Sequence, residues 1–153
     1  MTWPAAGWLA LTLALTPAAT SGAADKAEPV TLLGKVVTLA DALKSAGLPF
    51  DAEPVANQVV LRGDDGAITP LLSDDASRAL FQDDRLRNRR TEVQGRRHPG
   101  LPYLQVVSFR IEDQGRLRTP EYYCEVCTIS VRFPQTCPCC QGPMVLRMKP
   151  ESP

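Results

Sequence analysis

All five cysteines of this 153-residue chain lie in one short stretch near the C-terminus, from Cys124 to Cys140. Cys124 and Cys127 form one C-x2-C pair, and Cys137 and Cys140 form a second. Two intervening residues let the backbone turn back in a tight knuckle, so both sulfur atoms of a pair can face one ion at about 2.3 Å. The spacing therefore predicts a tetrahedral metal site with four thiolate ligands. Cys139 is left over as a fifth thiol.

The stretch from Tyr122 to Met144 resembles the cysteine knuckles of rubredoxin-like and zinc-ribbon proteins. As in that family, an aromatic residue precedes the first pair, and the second pair has the form C-P-x-C. The resemblance implies that one ion, zinc or alternatively iron, is held by four residues: Cys124, Cys127, Cys137 and Cys140. The glycine that often follows the first knuckle in this family is Thr128 here.

Two other uses of the cysteines stay open at this point. They could form disulfides if the chain folds in an oxidising compartment. They could also serve a redox protein, either through a rubredoxin-like iron site or through an exchanging thiol, Cys139 or Cys140, with its neighbour as resolving partner. The spacing favours the metal site and does not specify the metal.

The N-terminal segment predicts the compartment. Residues 1–24 contain no charged side chain, and an apolar run from Gly7 to Leu15 is followed by Pro17 and a series of small residues. This order is typical of a signal peptide, cleaved between Thr20 and Lys26. The apolar run is shorter than the roughly 20 residues that a spanning helix needs. We therefore expect a periplasmic or secreted protein with no stable membrane span after cleavage.

Removal of residues 1–24 leaves 129 residues, which is one ordinary domain with a small appendage. We expect residues 25–118 to form the domain and residues 119–148 to form the metal-binding appendage. Because residues 25–118 contain no cysteine, this domain is expected to fold without the knuckles.

The charges of the chain balance, with 17 basic and 17 acidic residues, but they are unevenly distributed. Residues 51–84 contain eight acidic and two basic side chains, and residues 85–118 contain nine basic and three acidic ones. The arginine-rich segment 85–97 could contact an unknown protein or an acidic ligand. Alternatively, segments 51–84 and 85–118 fold against each other, and their opposite charges form solvent-exposed ion pairs.

The remaining pattern predicts a mainly β fold. Strands are expected at residues 30–39, 58–62, 67–72, 91–96 and 103–111, with an extended piece at 116–123. A short helix begins at Thr38 and ends at Gly47, and a second begins at Ser73, whose side chain is expected to cap it. Gly34 marks a bend or bulge in the first strand.

Strand, hairpin, helix and two further strands follow one another as in the OB-fold, whose helix lies between the third and fourth strands. This layout resembles a small OB-like β-barrel with one or two short helices, to which the C-terminal knuckle hairpin is appended. The whole arrangement also resembles bacterial exported proteins, a resemblance that implies no activity.

No catalytic motif is recognisable in the sequence. The single histidine, His98, lies in a predicted turn, and no serine has a glycine elbow or a histidine partner. Phe109 alternates with Val107 and Ile111, which indicates a core face and no platform for stacking bases. Nucleic acid is therefore not an expected partner, and the sequence favours a non-enzymatic binding or structural protein.

Overall fold

The computed structural model describes residues 26–150, and the predicted signal peptide lies outside this range. Within the range, the strands are β1 Glu28–Thr38, β2 Val59–Gly63, β3 Ile68–Pro70, β4 Arg90–Arg97, β5 Leu104–Asp113, β6 Arg116–Arg118, β7 Pro120–Cys124, β8 Ile129–Val131 and β9 Val145–Met148. The helices are α1 Leu39–Ser45, α2 Ala52–Val55 and α3 Arg78–Gln82, and a 3₁₀ turn, Asp84–Leu86, follows α3. None of these described helices is long and apolar enough to cross a bilayer.

The larger sheet has six strands in the order β3-β2-β1-β4-β5-β6, and all neighbours are antiparallel. β1 lies at its centre and pairs with both β2 and β4. The two pairings overlap at Gly34 and Lys35, and Gly34 lies opposite Gly63 on one side and Thr91 on the other. A Cβ atom at Gly34 would collide with the carbonyl oxygen of Arg62. Glycine is therefore required here because β2 approaches the backbone closely.

The predicted closed barrel is not observed, although the mainly β fold with a few short helices is confirmed. The sheet is open, and a single isolated parallel bridge joins Leu71, just after β3, to Leu104 of β5. The adjacent Leu72 N–H donates to the Leu104 carbonyl oxygen at 2.9 Å. β3 has only three residues, which is too short to pair along β5.

A bulge in β5 changes which side of the sheet one of its residues faces, compared with the sequence prediction. Gln94 pairs with Ser108 and Gly95 pairs with Val106, so Val107 is an extra residue in its strand. The extra residue shifts the alternation of side chains by one. Phe109 is accordingly in the core as predicted, whereas Val107 is 44% exposed and its predicted core position is wrong.

The two predicted helix starts have opposite outcomes. The hydroxyl of Thr38 accepts a hydrogen bond from the N–H of Asp41 at 3.0 Å, so the predicted cap of α1 is confirmed. The predicted start at Ser73 is wrong, since α3 begins at Arg78. The carboxylate of Asp74 accepts hydrogen bonds from the N–H groups of Ala76 and Ser77. The turn formed by the Asp74 side chain takes the backbone N–H groups that would otherwise begin the helix, so α3 begins further along the chain.

The C-terminal part is a three-stranded antiparallel sheet in the order β8-β7-β9, which extends the predicted hairpin by one strand. Tyr122 of β7 is 1% exposed and belongs to the main hydrophobic cluster of the larger sheet. That cluster is formed by Val36, Val59, Leu61, Leu71, Ala79, Leu80, Leu86, Val93, Leu104, Val106, Phe109, Ile111 and Tyr122. Independent folding of residues 25–118 stays a prediction, and this shared core argues against it.

Candidate metal centre

The two knuckles bring four thiols together at one end of the small sheet. Cys124 ends β7 and Cys127 lies in the turn to β8, while Cys137 and Cys140 lie in the loop between β8 and β9. The four sulfur atoms all lie within 4.8 Å of one another, and those of Cys124 and Cys140 are 3.6 Å apart. Four sulfurs at about 2.3 Å from a tetrahedral ion would be about 3.8 Å from one another. The donor set and its spacing therefore fit one thiolate-bound metal ion.

The first knuckle is organised by two backbone hydrogen bonds. The N–H of Cys127 points at the sulfur of Cys124 at 3.5 Å, and the N–H of Thr128 donates to the Cys124 carbonyl oxygen at 2.8 Å. Thr128 adopts φ = 56°, in the left-handed region. This conformation turns the chain back into β8, and it explains why glycine suits this position.

The second knuckle repeats this geometry. The N–H of Gln141 donates to the Cys137 carbonyl oxygen at 2.9 Å, and Gln141 adopts φ = 59°. The left-handed residue of this knuckle is therefore Gln141 and not Gly142. Gly142 has a different function, since a Cβ atom there would lie 3.3 Å from the sulfur of Cys140.

The protonation of the thiols follows from these contacts. Backbone hydrogen bonds from Cys140 and then Cys139 lower the pKa of Cys137 to about 7, from an ordinary value of 9.0, although burial opposes the shift. Hydrogen bonding to neighbouring thiols, first of all that of Cys139, raises the pKa of Cys127. A divalent ion would displace the protons from such a cluster, because the ligands must bind as thiolates.

The thiol cluster, Cys124, Cys127, Cys137 and Cys140, lies partly in the protein and partly at its surface. Cys124 and Cys137 are buried, Cys127 is half-buried and Cys140 is exposed. Cys139 is also exposed, and it does not belong to the four sulfurs that lie within 4.8 Å of one another. All five side chains are free thiols in this structure, with no sulfur pair at bonding distance.

A partly buried polar cluster attaches the metal-site strand to the larger sheet. The hydroxyl of Tyr122, two residues before Cys124, donates to the carboxylate of Asp83 at 2.6 Å. The guanidinium of Arg85 binds the same carboxylate through two nitrogens, at 2.8 and 2.6 Å. Asp83 is only 6% exposed. The sequence analysis did not identify this cluster, because Asp83 and Asp84 fit an ordinary turn.

The charge state of this cluster is set by its partners. The side-chain hydrogen bonds from Arg85 lower the pKa of Asp83 to about 2, overcoming the opposite effect of burial. Burial and the hydrogen bond to Asp83 raise the pKa of Tyr122. Asp83 is therefore a carboxylate and Tyr122 a neutral donor at neutral pH, which is the arrangement of a strong charge-assisted hydrogen bond.

Two cation–π contacts add to the connections of the small sheet. The guanidinium of Arg147 in β9 lies 3.2 Å from the ring centroid of Tyr123 in β7, and its Nε donates to Glu121 at 2.8 Å. The guanidinium of Arg78 in α3 lies 4.3 Å from the ring centroid of Phe133. The first contact links two strands of the small sheet, and the second links the loop after β8 to the helix of the larger unit.

Three of the six arginines in segment 85–97 are paired with carboxylates within the protein. Arg85, Arg89 and Arg90 lie within 4 Å of the carboxylates of Asp83, Asp113 and Asp64. These contacts favour the alternative of internal charge pairs. For Arg87, Arg96 and Arg97, which have no such neighbour among residues 26–150, a role in partner binding stays a prediction.

The single histidine, His98, makes one side-chain contact with β5. Its Nε2 lies 2.8 Å from the amide oxygen of Gln105 in β5. This contact attaches the turn between β4 and β5 to the edge of the sheet.

No protein-family model matches this chain, and neither the search of curated proteins nor the search of solved structures finds a similar protein.

Proposed function

We propose that this chain is an exported, non-enzymatic binding or structural protein whose small sheet is stabilised by a four-cysteine zinc centre. The observation that carries the proposal is the convergence of four sulfur atoms, from two knuckles on either side of β8, within 4.8 Å of one another. Export to the periplasm or the medium is supported by the uncharged N-terminal sequence.

The closed ligand set supports a structural role for the ion. Catalytic zinc sites keep a position for water or substrate, whereas four thiolates complete a tetrahedron. The small sheet has strands of three to five residues. Because such strands bury little apolar surface, the binding free energy of the ion would supply much of their folding free energy.

We also propose that the larger unit is an incomplete OB-like barrel. The strand order β3-β2-β1-β4-β5 and the position of α3 between β3 and β4 support this assignment. The parallel bridge between Leu71 and Leu104 would then be the remnant of the closure between the third and fifth strands of that fold. Because fold does not determine function, this assignment identifies no ligand.

Metal analysis of the purified full chain, kept reduced and loaded with Zn²⁺, tests the centre. We expect one ion per chain, bound with loss of protons from the thiols. Serine at any one of Cys124, Cys127, Cys137 or Cys140 should abolish or greatly weaken binding. The matched control is Cys139→Ser, which should retain one ion. Loss of the ion in Cys139→Ser with retention in Cys137→Ser would overturn the ligand assignment.

The same preparation tests the alternative of a rubredoxin-like iron site. The backbone N–H groups that point at the sulfurs of Cys124 and Cys137 favour it, because such hydrogen bonds tune the reduction potential of iron–thiolate centres. Protein isolated without added metal should be colourless and contain zinc if our proposal holds. A coloured, redox-active protein would replace zinc by iron and establish electron transfer.

N-terminal sequencing of the protein recovered from the periplasm or the medium tests export. We expect the mature chain to begin between Thr20 and Lys26. A chain that begins at Met1 and stays with the membrane fraction would contradict cleavage.

A further inference from the structure

Most of β5 has a strand neighbour on only one side. β4 pairs along the strand, whereas β6 pairs with residues 111–113 alone. At the opposite end, a single bridge engages Leu104. Within the part of the chain that the structure describes, residues 105–110 make no backbone hydrogen bond outside the pairing with β4. They therefore present a free strand edge, with backbone N–H and C=O groups directed away from β4.

The sequence explains why the pairing of β5 with β6 ends so early. The next pair in register would be Arg110 and Thr119, but the Thr119 carbonyl oxygen accepts a hydrogen bond from the N–H of Lys149 at 2.8 Å. Pro120 follows, and it has no N–H group with which to continue the pairing. The chain thus leaves the larger sheet at Thr119 and enters β7 of the small sheet.

A groove separates this free edge from a second one. β8 is an outer strand of the small sheet and pairs only with β7. The groove has a volume of about 300 Å³, and its walls include residues 107–109 of β5 and residues 130–132 in and just after β8. Successive side chains of a strand point to opposite faces of its sheet. Three consecutive residues on each wall therefore indicate that two strand edges, and not two sheet faces, line the groove.

The rim of the groove carries two unpaired cations. Arg132 and Lys149 are exposed and have no carboxylate within 4 Å among residues 26–150. The acidic side chain in the lining, Glu121, is bound by the guanidinium of Arg147 at 2.8 Å. Cations beside a strand edge repel the same edge of a second copy and attract acidic side chains. The charge of the groove therefore fits an acidic segment of another protein better than a second copy of this chain.

We propose that the groove between β5 and β8 binds an extended segment of a partner protein in which apolar residues alternate with Asp or Glu. The segment inserts as a strand, pairs with β5 on one side and with β8 on the other, and joins the two sheets. Main-chain hydrogen bonds supply affinity in this kind of recognition, and alternate side chains supply specificity. Val107, which the bulge leaves 44% exposed, is covered by the apolar side chains of the segment.

The proposal gives a partner class to the binding role proposed above. It rests on the metal centre only for the order of β8. Zinc content is measured separately, so a chain that holds one ion but binds no peptide contradicts this proposal alone. A chain that binds the peptide without zinc contradicts the metal centre alone, because the free edge of β5 contains no thiol.

The test selects peptides from a phage library of random heptapeptides on the full chain loaded with Zn²⁺, and the strongest binder is then synthesised. We expect the selected sequences to alternate apolar and acidic residues. Arg132→Glu and Lys149→Glu should each raise the Kd of the synthetic peptide about threefold to tenfold, because a repulsive charge replaces an attractive one at the rim. Lys44→Glu is the matched control. It makes the same change of charge on an exposed residue of α1 that does not line the groove, and it should leave the Kd unchanged.

Backbone methylation of the synthetic peptide tests insertion between two edges. The N–H groups of alternate residues in a strand point to opposite sides. N-methylation of either alternate set removes the hydrogen bonds to one edge, so both methylated peptides should bind on the order of tenfold more weakly. Undiminished binding of either methylated peptide, a library without enriched sequences, or charge variants that bind as the unaltered chain does would overturn the proposal. Dimers of the chain that exclude the peptide would assign the groove to a second copy and would also overturn it.

Discussion

The two sheets of this protein are stabilised in different ways. In the larger sheet, apolar side chains from β1, β2, β4, β5 and α3 form a continuous core. Beyond residue 118, the buried side chains of the described chain are only Pro120, Tyr122, Cys124 and Cys137. The first sheet thus depends on burial of apolar surface, and the second depends on its attachments.

Two of the attachments of the small sheet lie two residues apart on β7. Tyr122 inserts its ring into the core of the larger sheet and hydrogen-bonds Asp83. Cys124 belongs to the thiol cluster. β7 therefore connects the core with the thiol cluster. The core fixes the position of Cys124, and an ion bound to Cys124 would hold the end of β7 in place.

Removal of the metal should have the largest effect, and the effect should be local. Structural zinc contributes roughly 10–16 kcal/mol of binding free energy in small zinc-dependent units. We expect a chelator to abolish the protection of backbone amides from hydrogen exchange in β8 and in the 132–144 loop. The amides of β1, β4 and β5 should keep most of their protection, because their core contains no thiol. Uniform loss of protection across both sheets would contradict this division.

Replacement of Tyr122 by alanine should destabilise both sheets together. Removal of a large buried aromatic ring typically costs about 3–5 kcal/mol, and here the ring also satisfies the buried carboxylate of Asp83. Denaturant unfolding followed by circular dichroism in the far and near ultraviolet should show one transition at lower denaturant concentration. The matched control is Tyr123→Ala, on the adjacent half-buried residue, which should cost less. Loosening of the small sheet alone would show that the core does not extend across the junction.

The sequence predicted the elements with strong local signals. The cap at Thr38 depends on one side chain and one N–H group three residues away, and it formed as expected. The C-x2-C pairs are equally local, and the structure brings their four sulfurs together. In each case the information lies within a few residues of the chain.

Features that depend on contacts between distant residues were not predictable. The pairing of Tyr122 with Asp83 joins residues 39 positions apart, and neither position has an unusual local pattern. The bulge at Val107 arises from the pairing of β5 with β4, so simple alternation placed Val107 in the core. The open sheet results from the shortness of β3 and from the single bridge at Leu71, and the length of a strand is poorly defined by local sequence.

Acidification should weaken the attachment at Asp83. Its carboxyl has a pKa of about 2 in the folded chain and an ordinary value of 3.8. The folded state therefore binds the proton less tightly than the unfolded state, and the stabilisation is complete above pH 3.8 and is lost as the pH falls toward 2. The loss amounts to about 2 kcal/mol.

The Asp83→Asn variant isolates this contribution. Both chains lose bound metal as their thiolates are protonated, so the difference between their unfolding free energies reports the carboxylate alone. We expect the unaltered chain to be more stable at pH 6 and the difference to shrink between about pH 4 and pH 2. A difference that stays constant over this range would show that the Asp83 charge does not contribute.

The smallest expected effect concerns the first knuckle itself. Thr128 is exposed and adopts φ = 56°, a conformation that a β-branched residue adopts only under strain. Thr128→Gly relieves this strain but increases the conformational entropy of the unfolded chain. Since the strain is roughly 1–2 kcal/mol and the entropic cost is roughly 0.5–1 kcal/mol, a net stabilisation of about 0.5–1 kcal/mol is expected.

Thr136→Gly provides the matched control for this substitution, because Thr136 is also exposed and does not have a positive φ. It incurs the entropic cost of glycine without relieving strain, so it should destabilise the zinc-loaded chain slightly. The measurement is the rate at which a chelator removes zinc, together with the denaturant midpoint. Thr128→Gly should slow the removal and Thr136→Gly should not, because only the first knuckle needs a left-handed residue after its second cysteine. If both substitutions accelerate removal equally, the turn at Thr128 carries no strain, and glycine has no advantage at this position.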